Sequence, residues 1–180
     1  MKLRKINAGL SLITTFLLLD HAIFFSVWML SRCSIEKSAD FMPRILALLM
    51  ITHAVICIIQ AFQGHKGAEK RKCNAYPKMN IPTNIQRATG ILMILLLGFH
   101  IAGAANHFQP KMLHAVVHPL FFAAALAHTS VSTSKALITL GIGNAKVIKV
   151  VDIVMKVICG LTFAAGVVGF YICLFVGVAR

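Results

Sequence analysis

Residues 6–30 read INAGLSLITTFLLLDHAIFFSVWML, an apolar run that carries Asp20 and His21 in its second half. A helix needs about 20 mostly apolar residues to cross a bilayer, because each residue rises about 1.5 Å and the hydrocarbon is about 30 Å thick. The run follows a basic start, but it is too long for a signal peptide and lacks a small-residue cleavage site before Arg32. We therefore interpret it as a retained membrane-spanning helix.

Four further runs of similar length follow, and short polar connectors separate them. They cover residues 43–63, 85–105, 112–134 and 150–178. Pro77 and Pro82 are assigned to the polar second connector, and Pro119 predicts a kink in the fourth helix. The connectors leave no room for a soluble domain, so the sequence predicts an all-α integral membrane protein whose residues 1–180 form a single transmembrane domain.

The composition of the 180-residue chain supports the same class. Apolar residues make up 58% of the chain and charged residues 13%, whereas soluble domains carry roughly 25% charged residues. With a mean hydropathy of +0.83, these values exclude a soluble globular protein, a disordered tail and a soluble nucleic-acid binder, so no nucleic-acid partner is expected. The five cysteines are scattered without a CxxC pair, which predicts neither a disulfide framework nor a zinc site.

The basic residues are distributed unevenly along the chain. Thirteen of the 18 Lys and Arg lie at the N-terminus and in the second and fourth connectors or at their edges, and five lie on the other side. By the positive-inside rule, this bias predicts a cytoplasmic N-terminus and an outer C-terminus after five crossings. The resulting basic rim either sets the topology and attracts anionic membrane lipid, or it is a docking face for a soluble partner.

Histidine is unusually frequent inside the apolar runs. Helices one to three contain His21, His53 and His100, and helix four contains His114, His118 and His128. An ionisable side chain inside a membrane is costly and needs a partner. A single buried histidine is most often a packing residue with a hydrogen bond. One near mid-membrane in each of four helices instead indicates iron ligands, because a haem iron satisfies paired imidazoles.

Counting residues from the predicted cytoplasmic helix ends gives each histidine a depth. His21 and His100 both lie about 20 Å in, whereas His53 lies about 15 Å in and His128 about 10 Å in. We call His21 and His100 the outer pair, and His53 and His128 the inner pair. His118, at a depth of about 24 Å, is a reserve ligand that would replace His128.

Three segments resemble those of a known family. They are residues 85–90 (IQRATG) in the third helix, residues 52–54 (THA) in the second, and residues 126–132 (LAHTSVS) followed by Lys135 in the fourth. With His21 in the first helix, they resemble the dihaem cytochrome b membrane anchor of succinate:quinone oxidoreductases, the group that includes fumarate reductases. The resemblance extends through residue 143, and the fifth helix adds only hydrophobicity to it.

The resemblance implies a bundle that encloses two b haems, with one haem iron held by the outer pair and the other by the inner pair. It also implies a multi-pass protein of the cell inner membrane. An iron–sulfur subunit and an FAD flavoprotein subunit would dock on the basic cytoplasmic face. In this interpretation the chain is a non-catalytic electron-transfer subunit that exchanges electrons with a membrane quinone, either menaquinone or ubiquinone.

Polar residues near the predicted helix ends are candidates for contacts with the haem propionates and the quinone. By position, the propionate candidates are Asn7, Arg87 and Lys135. The quinone-site candidates lie at the outer membrane edge and are Glu36, Asp40 and Arg44.

Acidic residues are nearly absent from the helices. Some members of the family carry a membrane glutamate two residues before the fourth-helix ligand, and that position is Leu126 here. No predicted helix contains a glutamate, so we do not expect a glutamate-linked proton route. For Asp20, beside His21, three roles stay open: orienting a neighbour, lining a polar cavity, or forming an interhelical hydrogen bond.

Two alternatives to the succinate:quinone interpretation also stay open. The chain is a cytochrome b anchor of another quinone-linked oxidoreductase, such as a hydrogenase, or it is a haem-free membrane scaffold or transporter. In the second case the histidines are packing or proton-relay groups. The partner subunits distinguish the first alternative, and the haem content distinguishes the second.

Overall fold

The structure is a computed structural model that describes residues 2–31, 41–68, 77–104 and 111–175, with side chains for residues 2–31, 42–63, 81–101 and 115–175. Five α-helices account for nearly all of these residues. They are α1 (Lys2–Leu30), α2 (Phe41–Ala68), α3 (Pro77–Ala104), α4 (Lys111–Leu140) and α5 (Ala145–Phe175).

All five helices are long and apolar enough to span a membrane. This architecture confirms the all-helical part of the predicted fold class and suggests a multi-pass membrane protein. Every helix begins before the matching apolar run, because helical backbone hydrogen bonds also form outside the hydrocarbon.

The second connector is shorter than the sequence analysis predicts. Pro77 is the first residue of α3 and Pro82 lies inside the helix, so the assignment of both to a polar connector was wrong. Pro82 lies in the second turn, so the carbonyl of Lys78 loses the amide partner that any other residue at position 82 would supply. Pro119 also lies within a helix, and α4 continues through it to Leu140.

The helices divide into a central group and two peripheral members. Helices α1, α4 and α5 pack against one another, whereas α2 packs mainly on α1 and α3 mainly on α4. About 30% of the apolar stretch is buried in each central helix, against 6% in α2 and α3. His53 and His100 therefore belong to the two peripheral helices, α2 and α3.

Close packing of α5 on its neighbours depends on two glycines. A Cβ at Gly166 would overlap the ring of Phe122 on α4 and lie 2.8 Å from the Ser26 hydroxyl on α1. A Cβ at Gly169 would lie 2.8 Å from the Cβ of Met29. Small residues at such crossings let membrane helices approach each other, as the glycine-rich fifth run predicts.

A short turn joins α4 to α5. Gly141 has φ +75° and closes α4, with the Ile142 amide donating to the Leu137 carbonyl at 3.0 Å. Asn144 begins α5 by accepting a hydrogen bond from the Val147 amide at 3.0 Å. Both ends of the turn thus satisfy backbone groups that the helices leave unpaired.

A buried apolar cluster joins four of the helices midway along the bundle. It consists of Leu18 from α1, Leu46 from α2, Met93 from α3, and Phe121, Ala124 and Ala125 from α4. We call it the middle cluster. Along α4 it lies between His118 and His128, so it separates two levels of histidine.

Candidate functional site

The inner pair comes from α2 and α4, which are not closely packed against each other. The rings of His53 and His128 interact electrostatically, and within the described residues no hydrogen bond or ring contact joins them. Each ring is partly buried. The two imidazoles therefore lie near each other without a direct contact.

The ring of His128 is held by the third helix. Its Nδ1 atom lies 2.9 Å from the backbone carbonyl of Gln86. A carbonyl oxygen can only accept, so Nδ1 carries the proton and donates it. In the neutral ring, Nε2 then carries the lone pair that a metal ion can accept.

Two more residues of the same turn of α3 surround this ring. The Thr89 hydroxyl donates to the Ile85 carbonyl at 2.7 Å, and its oxygen lies 3.3 Å from Nδ1 of His128. A Cβ at Gly90 would lie 3.1 Å from Cε1 of His128. Gly90 thus lets the imidazole lie directly against the α3 backbone.

Lys135 lies two turns beyond His128 on α4 and is bound by α3 as well. Its ammonium group donates to the Thr83 hydroxyl and to the side-chain oxygen of Gln86, both at 3.0 Å. Arg87 is exposed but close enough to Lys135 for electrostatic repulsion. These two propionate candidates therefore lie together at one end of the inner pair.

The third propionate candidate, Asn7, belongs to a different polar group between α1 and α2. Its Nδ2 atom donates to the Cys57 sulfur and to Gln60 Oε1, both at 3.4 Å, and Gln60 Nε2 donates to the Leu3 carbonyl at 3.2 Å. The Cys57 sulfur lies 3.5 Å from Nε2 of His53. Asn7 is thus linked to the inner pair through His53.

This α1–α2 group leaves two buried polar atoms without a hydrogen-bond partner among the described residues. They are Oδ1 of Asn7 and Nδ1 of His53. A buried polar atom without a partner costs about 1–3 kcal/mol, so native structures rarely contain one. The inner site therefore has buried polar atoms whose hydrogen-bonding needs the described protein contacts do not satisfy.

The outer pair lines a cavity on the other side of the middle cluster. His21, His100 and His118 all line it, and the remaining walls are mostly apolar side chains of α1 and α4, with Ser26 from α1 and Gly166 from α5. The cavity has a volume of about 40 Å³. Three imidazoles from three helices thus meet in an otherwise hydrophobic space.

Ring packing fixes the outer histidines. The ring of His118 lies 5.2 Å from that of His100 and 4.6 Å from that of Phe170, nearly parallel to both. His100 also stacks on Phe121 at 4.6 Å, and His21 contacts Phe25 at 4.9 Å. His118, the reserve ligand, therefore belongs to the outer level, beside His100 and away from His128.

The spacing between the two levels follows from helix geometry. Ten residues separate His118 from His128 on α4, and ten separate Gly90, beside His128, from His100 on α3. At about 1.5 Å per residue, both helices place the levels about 15 Å apart. The distance between the levels is thus the same along two different helices.

Several predicted residues lie apart from these sites or outside the described part of the chain. Glu36 and Asp40 lie outside the described residues. Arg44 is exposed in the first turn of α2. Asp20 is exposed on α1 and is not among the residues that line the outer cavity.

The structure adds residues that the sequence reasoning did not identify as site residues. Gln86, Thr89 and Gly90 contact His128, and Cys57 contacts His53. The first three belong to the IQRATG segment. Their spacing of three and four residues puts them on one face of a helix, which was a usable signal.

Comparison with known proteins identifies no relative. No protein-family model matches the chain, and no curated protein and no solved structure matches it at significant similarity.

Proposed function

We propose that the chain is a dihaem cytochrome b that anchors a succinate dehydrogenase or fumarate reductase in the cell inner membrane. The observation that carries this proposal is the arrangement of imidazoles at two levels, contributed by four helices and separated by the middle cluster. Packing residues have no reason to recur at matched depths in this way. Histidines that would hold two haem irons do, because a haem iron satisfies paired imidazoles.

The chemistry of the donors fits haem better than a bare metal ion. Within the described residues, no group of three or more His, Cys, Asp or Glu could hold a metal ion. A haem brings four equatorial nitrogens of its own and needs only two from the protein. The buried Nδ1 of His53 and the tautomer of His128 are consistent with ligands at such a site.

Each residue of the inner site has a distinct task in this proposal. His53 and His128 would hold the iron, and the Gln86 carbonyl orients the His128 ring. Lys135 and Arg87 supply positive charge for propionates, and Asn7 supplies an amide near His53. Bound haem would supply a one-electron carrier whose two axial positions are filled, which favours electron transfer over oxygen binding.

The outer site would hold the second haem between His21 and His100, within apolar walls. Exposed basic side chains at the predicted cytoplasmic end, among them Arg4, Arg87 and Lys149, support docking of an iron–sulfur subunit, which would in turn contact a flavoprotein. The quinone would bind in the bilayer, and Arg44 is the described candidate for its contact. The chain thus carries electrons and leaves substrate chemistry to its partners.

The haem content of the purified chain tests the proposal. We expect a dithionite-reduced spectrum of low-spin haem b, with about two haems per chain when it is produced in haem-replete cells. Co-purification of a flavoprotein with succinate dehydrogenase or fumarate reductase activity would identify the complex. A folded but colourless chain would leave the scaffold or transporter alternative instead.

A further inference from the structure

The position of Asp20 on α1 conflicts with a lipid environment. Asp20 lies about 21 Å from the start of the apolar run and about 15 Å from its end, which is near the middle of a bilayer. The residue is exposed in the bundle. Acidic side chains inside membranes nearly always face a protein interior or a partner group, because a charge in hydrocarbon is expensive.

The residues around Asp20 form one continuous face of the helix. Ile13, Phe16, Asp20, Ile23 and Val27 follow one another at intervals of three or four residues, and the four apolar side chains are between 44% and 78% exposed. We call these four residues with Asp20 the α1 strip. Helices α2, α4 and α5 pack on other sides of α1, so none of them covers the strip.

None of the side chains in the described part of the bundle pairs with this carboxylate. Among the side chains that the structure describes, no hydrogen bond or ion pair reaches Asp20, although it interacts electrostatically with the adjacent His21 ring. Lys156, an exposed basic residue in α5, already pairs with Asp152. Because the described part of the bundle supplies no cation at this depth, a basic side chain of another polypeptide would complement Asp20.

We propose that the α1 strip binds a transmembrane helix of a different polypeptide, which carries a basic side chain at mid-membrane depth. Charge complementarity selects this occupant over a second copy of the chain. A parallel pair of α1 helices related by a two-fold axis would bring two Asp20 carboxylates to the same depth, and like charges repel. The inference does not depend on haem.

A synthetic helix tests the strip directly. The probe is a Leu/Ala helix of about 24 residues with one central Lys, and the matched probes carry Leu or Glu there. Energy transfer between probe and full-length chain is measured in phosphatidylcholine vesicles. We expect the Lys probe to associate about tenfold more tightly than the Leu probe, the size of a polar contact between membrane helices.

Two variants and a crosslinking position complete the test. Asp20→Asn should abolish the preference for Lys, whereas Asp152→Asn should retain it. A photo-reactive side chain at Phe16 should capture the Lys probe, and one at Leu95, exposed on α3, should not. Equal binding of the Lys and Leu probes would overturn the proposal, as would a preference that survives Asp20→Asn. Self-association of the chain that requires Asp20 would identify a second copy as the occupant and overturn it too.

Discussion

At the scale of single residues, the surroundings of His128 are defined by one helix turn. One turn of α3 supplies a carbonyl from Gln86, a hydroxyl from Thr89 and open space at Gly90. The carbonyl fixes the tautomer and the glycine fixes how closely the ring approaches. The IQRATG segment thus has a physical role beside His128, whichever group the ring binds.

The close approach at Gly90 yields a sharp prediction. Gly90→Ala should displace the His128 ring by a few tenths of an ångström and change the absorbance and electron paramagnetic resonance spectra of the inner haem. Chain stability should change by less than about 1 kcal/mol, because the better helix propensity of alanine offsets the crowding. Gly98→Ala is the control, since nothing lies within 4 Å of its added Cβ. Identical spectra for the two variants would refute the role assigned to Gly90.

At the scale of helices, the contact of α5 with α1 and α4 depends on Gly166. Its surroundings are Phe122 and the Ser26 hydroxyl, which also donates to the Thr162 carbonyl at 3.3 Å. This contact packs the three helices together beside the outer cavity. Gly166 also lines that cavity. Helix α5 therefore closes one wall of the outer site although it carries no histidine.

Enlarging Gly166 should consequently loosen the central group of helices. We expect Gly166→Ala to reduce the free energy of unfolding by about 1–3 kcal/mol, because an added methyl group overlaps a buried ring. Thermal unfolding in detergent measures the effect. Gly160→Ala, on the same helix with nothing within 4 Å, should leave the melting temperature unchanged or raise it. A similar loss in both variants would show that the contact of Gly166 with Phe122 and Ser26 does not cause the effect.

The sequence predicts where the helices lie along the chain, but not how each helix is rotated about its own axis. Apolar length located all five helices, and counting along them placed His21 with His100 at one depth, because rise per residue is nearly constant. Helix ends such as Pro77 were misjudged, since helices extend beyond the hydrocarbon. Which residues are neighbours across helices depends on how each helix is rotated about its axis; examples are Gln86 beside His128 and His118 beside His100. In uniformly apolar helices, the sequence has no periodic pattern that indicates this rotation.

At the scale of the whole molecule, the basic residues and the two levels of histidine are ordered along the same axis through the bundle. The inner pair, Lys135 and Arg87 lie toward the end of the bundle that carries most of the basic residues. The outer pair lies about 15 Å further along the bundle axis. This polarity is what an electron path between a soluble partner and a membrane quinone requires.

The orientation of the bundle is open to direct measurement. We expect alkaline phosphatase fused after residue 180 to be active, because the C-terminus is predicted to lie outside the cytoplasm. The same enzyme fused after residue 143, in the turn between α4 and α5, should be inactive. The reverse pattern of activities would contradict the proposed topology and move the basic rim to the outer face.

The central claim is that the four helices hold two haems through two separate pairs of histidines. Haem content and the reduced spectrum of four variants, each with one histidine replaced by leucine, test it most directly. His53→Leu and His128→Leu should lose the same spectral component, and His21→Leu and His100→Leu should lose the other. His118→Leu should keep both. Loss of different components within either pair, or retention of both haems in all four variants, would contradict the account.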